Sequence, residues 1–134
     1  MNRRKVRNIF AWLLSIIVSL AFLAAGIPKL LGGPAWIRLF SNWGYPKWFL
    51  LVIGALEVLG AILLFIPRFT AYAVAILTVV MLGAAYTHVA NGEGLAIIRP
   101  LIFLFLLAIV TWLRRSSRKQ LGTIASTSAP TSEV

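Results

Sequence analysis

The chain alternates between four long apolar runs and short polar connections. The runs cover residues 9–31, 48–66, 69–90 and 95–113. A helix needs roughly 20 apolar residues to cross a bilayer, so each run is long enough for one span. The Pro67-Arg68 connection is so short that the second and third spans must form an antiparallel hairpin. The pattern predicts an all-α integral membrane domain over residues 9–113, a bundle of four transmembrane helices.

Composition also indicates a lipid environment. Hydrophobic residues make up 60% of the 134-residue chain and charged residues 12%, with a mean hydropathy of +0.93. A soluble domain is roughly 45–50% apolar and roughly 25% charged. Three acidic and thirteen basic residues are too few to cover a protein of this size with polar groups. These numbers exclude a soluble globular, a disordered and a coiled-coil protein.

A secretory signal peptide is the alternative to a first span. The basic segment 3–7 resembles the start of such a peptide, and Ala24-Ala25-Gly26 resembles a cleavage site. The apolar run is longer than the usual signal-peptide core of about 7–15 residues. We therefore expect residues 9–31 to be retained as a span.

The net charge of +10 would suggest a nucleic-acid partner in a soluble domain. Here eight of the thirteen cations flank the membrane domain, in the basic N-terminus 1–8 and at the start of the tail 114–134. Anionic lipid headgroups attract cations at such positions, so the sequence predicts membrane lipids as partners and no nucleic acid. Residues 120–134 are predicted to be a disordered tail because they hold too few apolar groups to pack.

The distribution of Lys and Arg predicts the orientation of the spans. The two flanks and the Arg68 turn carry nine of these residues, against four in the first loop and at the start of the fourth span. Cytoplasmic segments carry the excess of Lys and Arg in membrane proteins. Both termini are therefore predicted to lie in the cytoplasm, with the chain in the cell (inner) membrane.

The first connection is long enough to hold an element of its own. Residues 35–43 are predicted to form a short helix on which Trp36, Phe40 and Trp43 recur at i, i+4 and i+7. Such an aromatic stripe on a partly polar segment suits the outer headgroup layer. Trp36 and Tyr45 are therefore candidate interfacial contacts, and the alternative is an aromatic belt that binds no ligand.

Glu57 is the deepest charge in the sequence. It lies in the middle of the second span, near the bilayer midplane at a rise of roughly 1.5 Å per residue. Gly54, Gly60 and Ala61 lie on the same helix face, and small residues at this spacing let another helix come close. We therefore expect Glu57 to point into the bundle and away from lipid.

Three cations lie within reach of Glu57 from the outer half of the membrane: Lys29, His88 and Arg99. Lys29 ends a seam of the first span that is expected to face the other helices, namely Ser15, Ser19, Phe22, Gly26 and Lys29. In a structural interpretation, Glu57 and Arg99 form a buried ion pair and the other two cations reach the interface. In a functional interpretation, all four residues bind a polar headgroup or relay a proton, with His88 able to titrate near neutral pH.

Five short motifs lie in order along the membrane domain: Gly26-Ile27-Pro28-Lys29-Leu30, Trp43-Gly44-Tyr45-Pro46, Gly54-Ala55-Leu56-Glu57-Val58-Leu59-Gly60, Pro67-Arg68 and Ala84-Ala85-Tyr86-Thr87-His88. Together they resemble the DoxX-like family of small four-helix membrane proteins. The resemblance implies a four-helix fold and a membrane location, and it makes Lys29, Glu57 and His88 motif positions. The family takes its name from a subunit of a thiosulfate:quinone oxidoreductase, but most of its members have no assigned activity, so the resemblance implies a fold and a location much better than a reaction.

The chain offers no redox centre of its own. It has no cysteine and a single histidine, so we expect no metal site and no cofactor held by the chain alone, and no catalytic residue is assigned. The leading hypothesis is an accessory membrane subunit that binds a lipophilic ligand, with quinone as a candidate ligand and a redox enzyme subunit as partner. The alternatives are a non-redox scaffold that holds lipids or partner proteins, and a small transporter that would need a homo-oligomer.

Reporter fusions test the predicted topology. A fusion after residue 120 should report a cytoplasmic location, and an insertion within residues 35–43 an external one, because Lys and Arg are in excess on the inner side. An external signal from the C-terminal fusion, or a mature chain that starts near Gly26, would contradict the prediction.

Overall fold

The computed structural model describes residues 2–128, of which residues 116–121 are described by their backbone alone. Regular structure in this part of the chain is entirely helical, which confirms the predicted all-α class. The elements are α1 (Arg3–Leu30), α2 (Pro34–Asn42), α3 (Lys47–Phe65), a 3-10 turn (Pro67–Phe69), α4 (Thr70–Ala90) and α5 (Ile98–Thr127).

Three stretches of helix are long and apolar enough to cross a membrane: Arg3–Leu30, Lys47–Phe65 and Pro67–Ala90. They correspond to the first three predicted spans. In α5 the apolar stretch is shorter, since it is bounded by Arg99 and Arg114. The fourth span therefore stays a prediction.

The four long helices pack around a common core. α1 packs against α3 and α5, α4 packs against the same two helices, and α2 lies against α1 and α3. The buried core residues are Val18, Phe22, Ala61, Leu64, Ala73, Leu77, Val80, Met81, Leu107 and Val110. The rings of Phe22 and Phe103, with centroids 4.6 Å apart, join α1 to α5. Every residue of the predicted seam on the first span is buried, so that prediction is confirmed.

α1 and α3 cross at two glycines. A Cβ atom on Gly54 would lie 2.9 Å from the backbone nitrogen of Leu30 and 3.0 Å from the carbonyl oxygen of Gly26. A Cβ atom on Gly26 would lie 3.1 Å from the carbonyl oxygen of Gly54. Backbone atoms cannot rotate away as a side chain can, so a larger residue at either position would separate the two helices. The predicted role of Gly54 as a small contact residue is confirmed.

The predicted helix in the first connection is confirmed as α2, with bounds one residue earlier. Pro34 occupies its first turn, where the missing N–H of proline is not needed. The chain leaves α2 through Gly44, whose φ of +84° lies in the left-handed region that favours glycine. The backbone N–H of Tyr45 then donates to the Phe40 carbonyl at 2.8 Å. This turn brings Tyr45 back beneath α2.

The C-terminal segment differs from the prediction. α5 continues to Thr127, so the predicted disordered tail is wrong for residues 120–127, while 129–134 lie outside the described residues. A helix that is already nucleated extends at little further cost, so the polar sequence does not end it. The hydroxyls of Ser126 and Thr127 donate to the Thr123 carbonyl at 2.8 and 2.9 Å and add hydrogen bonds to the last turn.

Replacing Gly54 with Ala should destabilise the protein, because the new Cβ would push apart the backbones of α1 and α3. Overpacking of a tight contact costs about 1–3 kcal/mol, which would lower the thermal midpoint in detergent. Gly83→Ala in α4 is the matched control, since a Cβ there meets no described atom within 4 Å. Alanine also favours a helix over glycine by about 0.8–1.0 kcal/mol. A higher midpoint for Gly54→Ala, as expected for Gly83→Ala, would contradict the close crossing.

Candidate functional site

A cavity of about 720 Å³ lies between the helices, with walls from α1 to α5. All six residues singled out in the sequence line it: Lys29, Trp36, Tyr45, Glu57, His88 and Arg99. The rest of the wall is mostly apolar, with side chains such as Phe49, Leu56 and Phe103. Cavities that enclose one small ligand usually measure roughly 300–1,000 Å³ and are lined in this way, with a few polar groups that orient the ligand.

A buried ion pair contributes two of the polar groups. The Nζ atom of Lys29 lies 2.9 Å from both carboxylate oxygens of Glu57. Both side chains are buried, and Glu57 is only 1% exposed, so its predicted orientation into the bundle is confirmed. Two charge-assisted hydrogen bonds between buried partners are the arrangement that offsets the loss of water around both charges.

The predicted ion pair between Glu57 and Arg99 is wrong. The partner of Glu57 is Lys29, and Arg99 forms no ion pair with any side chain in residues 2–128 for which atoms are described. The reason is the antiparallel crossing of α1 and α3, where Lys29 packs beside Gly54 and Glu57 packs beside Gly26. Depth in the membrane puts both cations within reach of Glu57, but only the crossing brings one of them into contact.

Trp36 covers the ion pair from α2. The Nζ atom of Lys29 lies 4.6 Å from the centroid of the Trp36 ring, which is a cation–π contact. An ammonium group has three N–H donors, and the two carboxylate oxygens of Glu57 take two of them. Trp36 therefore contacts a cation at the cavity wall, which is more than an interfacial belt requires.

Glu93 joins α2 to the turn between α4 and α5. Its two carboxylate oxygens accept hydrogen bonds from Nδ1 of His88 at 2.7 Å and from Nε1 of Trp43 at 3.2 Å. The His88 bond first, and the Trp43 bond second, hold the pKa of the Glu93 carboxyl below its ordinary value. The rings of Trp43 and His88 also meet edge to face at 5.3 Å. Glu93 thus connects Trp43, at the end of α2, with His88 in the last turn of α4.

The bond to Glu93 fixes which nitrogen of His88 carries hydrogen. An ionised carboxylate only accepts hydrogen bonds, so Nδ1 must be the donor. Nε2 then accepts a hydrogen bond when the ring is neutral and donates one when the ring is protonated. Nε2 has no hydrogen-bond partner among the described residues, and His88 lines the cavity. It is therefore available to a ligand.

Tyr45 makes a second link between the first connection and α4. Its hydroxyl lies 2.9 Å from Oγ1 of Thr87, which itself donates to the Gly83 carbonyl at 2.9 Å. The single hydrogen of the Thr87 hydroxyl is used in that bond, so Tyr45 is the donor. Tyr45 also packs against the rings of Phe40 and Phe49, with centroids 5.9 and 4.8 Å away.

Sequence reasoning missed three residues of this site: Trp43, Thr87 and Glu93. Trp43 carries a usable signal, since it belongs to the same aromatic stripe as Trp36. Thr87 and Glu93 carry no such signal in the sequence. A hydroxyl in a helix or an acid in a turn belongs to a site only if suitable side chains lie opposite it, and the sequence does not show which side chains those are. The structure thus adds to the predicted site a set of hydrogen bonds at the end of α4 and in the turn after it.

The polar groups of the site suit binding better than chemistry on a metal. In the part of the chain that the structure describes, no three His, Asp or Glu side chains form a group that could hold a metal ion. The cavity offers N–H donors on Lys29 and Arg99 and the ring nitrogen Nε2 of His88. Together with the apolar wall, these groups can hold a molecule that has one polar end.

The chain is similar to known proteins along most of its length. The model of the DoxX-like family matches residues 13–120 of the chain. An uncharacterized protein of Haemophilus influenzae is 33% identical over 115 residues, which cover 78% of this chain and 85% of that protein. No solved structure matches the chain significantly. The family resemblance stated from the motifs is confirmed.

Removing one member of the ion pair should destabilise the protein more than removing both. Lys29→Met or Glu57→Leu leaves one charge buried without its partner, a defect of about 3–5 kcal/mol in soluble proteins. The double variant should recover much of the lost thermal midpoint in detergent. The matched control is Glu57→Leu with Arg99→Leu, which should give no recovery because Arg99 does not contact Glu57. The pairing would be refuted by a Lys29–Glu57 double variant no more stable than its worse single variant.

Proposed function

The chain belongs to the DoxX-like family, and on that premise we propose that it is a multi-pass membrane protein that binds a lipophilic molecule in its central cavity. In this proposal α5 is the fourth span, both termini lie in the cytoplasm, and the cavity opens in the outer half of the cell membrane. The ligand is an amphiphile, with a polar head and an apolar body.

The observation that carries this proposal is the chemistry of the cavity wall. A long apolar surface leads to a small set of charged and hydrogen-bonding groups, among them Lys29, Glu57, His88 and Arg99 from four different helices. Charged groups inside the membrane are costly, and such groups mark functional sites more often than structural ones. Lys29 and Glu57 satisfy each other, yet both still face a cavity large enough for a ligand.

The ligand is held at two ends. Its apolar body packs against side chains of the wall such as Leu56 and Phe103. Its polar head receives hydrogen bonds from the free N–H groups of the site, of which Arg99 carries the most. The outer end of the cavity is covered by Trp43 and Tyr45, which are fixed to α4 and its following turn by hydrogen bonds.

A quinone is one candidate for this ligand. Its carbonyl oxygens are acceptors that suit the donors of Lys29, Arg99 or protonated His88, and its ring and tail are apolar. A chain without cysteine would leave the redox centre to a partner subunit, so the protein would act as an accessory subunit. A non-redox role in holding lipids is the second candidate, and it is favoured by the uncompensated charge of Arg99.

Mild purification followed by mass spectrometry of bound small molecules tests the proposal. The wild-type protein should retain a lipophilic molecule, and Ala84→Phe should lose it because the new ring fills part of the cavity. Ala75→Phe is the matched control, since Ala75 lies on the exposed face of the same helix. A quinone in the wild-type sample would favour the redox role, and a lipid the second candidate.

A second blocking variant guards against misfolding. Ala96→Phe also lines the cavity but lies in the turn before α5, away from the helix contacts. Thermal unfolding in detergent identifies any variant that has lost its fold. Equal occupancy in the wild type and in a folded blocking variant would refute binding in this cavity.

A further inference from the structure

The charges around the cavity do not balance. Lys29 and Glu57 neutralise each other, and the carboxylate of Glu93 is held by His88 and Trp43. Arg99 also lines the cavity, but no acidic side chain described in the structure lies within ion-pair distance of it. Among the described residues, the site therefore holds one permanent positive charge without a counter-charge.

Neither an ion pair among the described residues nor the dipole of its own helix accounts for the position of Arg99. It lies in the first turn of α5, where a cation meets the positive end of the helix dipole and does not stabilise its own helix. The next residue, Pro100, is buried and lines the same cavity. The backbone that carries Arg99 is thus packed at the edge of the cavity, while the side chain remains exposed.

We infer that Arg99 binds the anionic head of a single-chain amphiphile whose tail occupies the cavity. A guanidinium group donates two parallel hydrogen bonds to a carboxylate or a phosphate, and it does so more strongly than to a neutral acceptor. The recognised chemistry is an anionic oxygen head, which a fatty acid and a lysophospholipid both provide. This inference rests on the proposed function and adds to it the charge of the ligand.

The size of the cavity suits a ligand with a single acyl chain. A volume of about 720 Å³ lies in the range that encloses one small ligand, so it suits one acyl chain with its head at the rim. Arg99 alone at the surface of a bilayer would attract anionic headgroups of any lipid. The inferred site differs from this general attraction because it selects a molecule whose tail lies in the cavity.

The test uses the full chain in a nonionic detergent and three probes with the same hydrocarbon chain: oleate, oleoyl lysophosphatidic acid and oleyl alcohol. Native mass spectrometry measures the bound fraction of each. The wild type should bind the two anions about tenfold more tightly than the alcohol, since a hydrogen bond to a charged group is worth more than one to a neutral group. The anion that binds more tightly identifies the source of the head.

Arg99→Gln should reduce this preference to near parity, because binding of the two anions weakens more than binding of the alcohol. Arg38→Gln is the matched control, because Arg38 is exposed on α2 and does not line the cavity. Arg99→Lys should show a partial loss, since it keeps the charge but loses the paired hydrogen bonds. It replaces the Gln variant if that variant does not fold.

The outcomes separate this inference from the proposed function. Equal binding of oleate and oleyl alcohol by the wild type, or an unchanged preference in Arg99→Gln, would overturn the anionic head and leave cavity binding intact. Unchanged binding of all three probes by the blocking variant Ala84→Phe would instead place them outside the cavity, and both proposals would fail.

Discussion

The close crossing of α1 and α3 at Gly26 and Gly54 is the constraint on which the rest of the structure depends. Lys29 packs beside Gly54 and Glu57 packs beside Gly26 at this crossing, so the Nζ atom of Lys29 reaches the carboxylate of Glu57. With the carboxylate neutralised, α4 and α5 can pack beside the same two helices without meeting an unpaired charge. A single pair of small residues thus controls both the spacing of the helices and the electrostatics of the cavity.

The two polar regions of the cavity are built by different kinds of interaction. One region is the ion pair of Lys29 and Glu57, which forms between helices. The other is a set of hydrogen bonds in which Glu93 and Thr87 accept from Trp43 and Tyr45 and so join the first connection to α4 and the turn after it. Polar groups inside a membrane need hydrogen-bond partners within the protein, because no water is present to supply them. The polar groups of both regions find such partners in each other. The apolar wall between them is what makes an amphiphile the fitting ligand.

The features that the sequence predicted correctly are those that depend on local pattern. The first three spans follow from apolar length, the buried seam of α1 from its spacing, and the inward orientation of Glu57 from the small residues on its face. The errors concern contacts or continuity. Depth alone favours Arg99 as the partner of Glu57, and composition alone favours a disordered tail, although a helix already formed in α5 extends through residues 120–127.

The sequence by itself determined that this protein is helical, that it belongs in a membrane, and which charges lie too deep to be ordinary surface residues. Periodicity and hydropathy act along one chain, so they carry this information without any knowledge of neighbouring helices. Only the tertiary structure decided that Lys29, and not Arg99, neutralises Glu57, and that Glu93 holds Trp43 and His88 together. Ion pairs and side-chain hydrogen bonds form over about 3 Å, and the distance between two residues on different helices is set by how closely the helices cross.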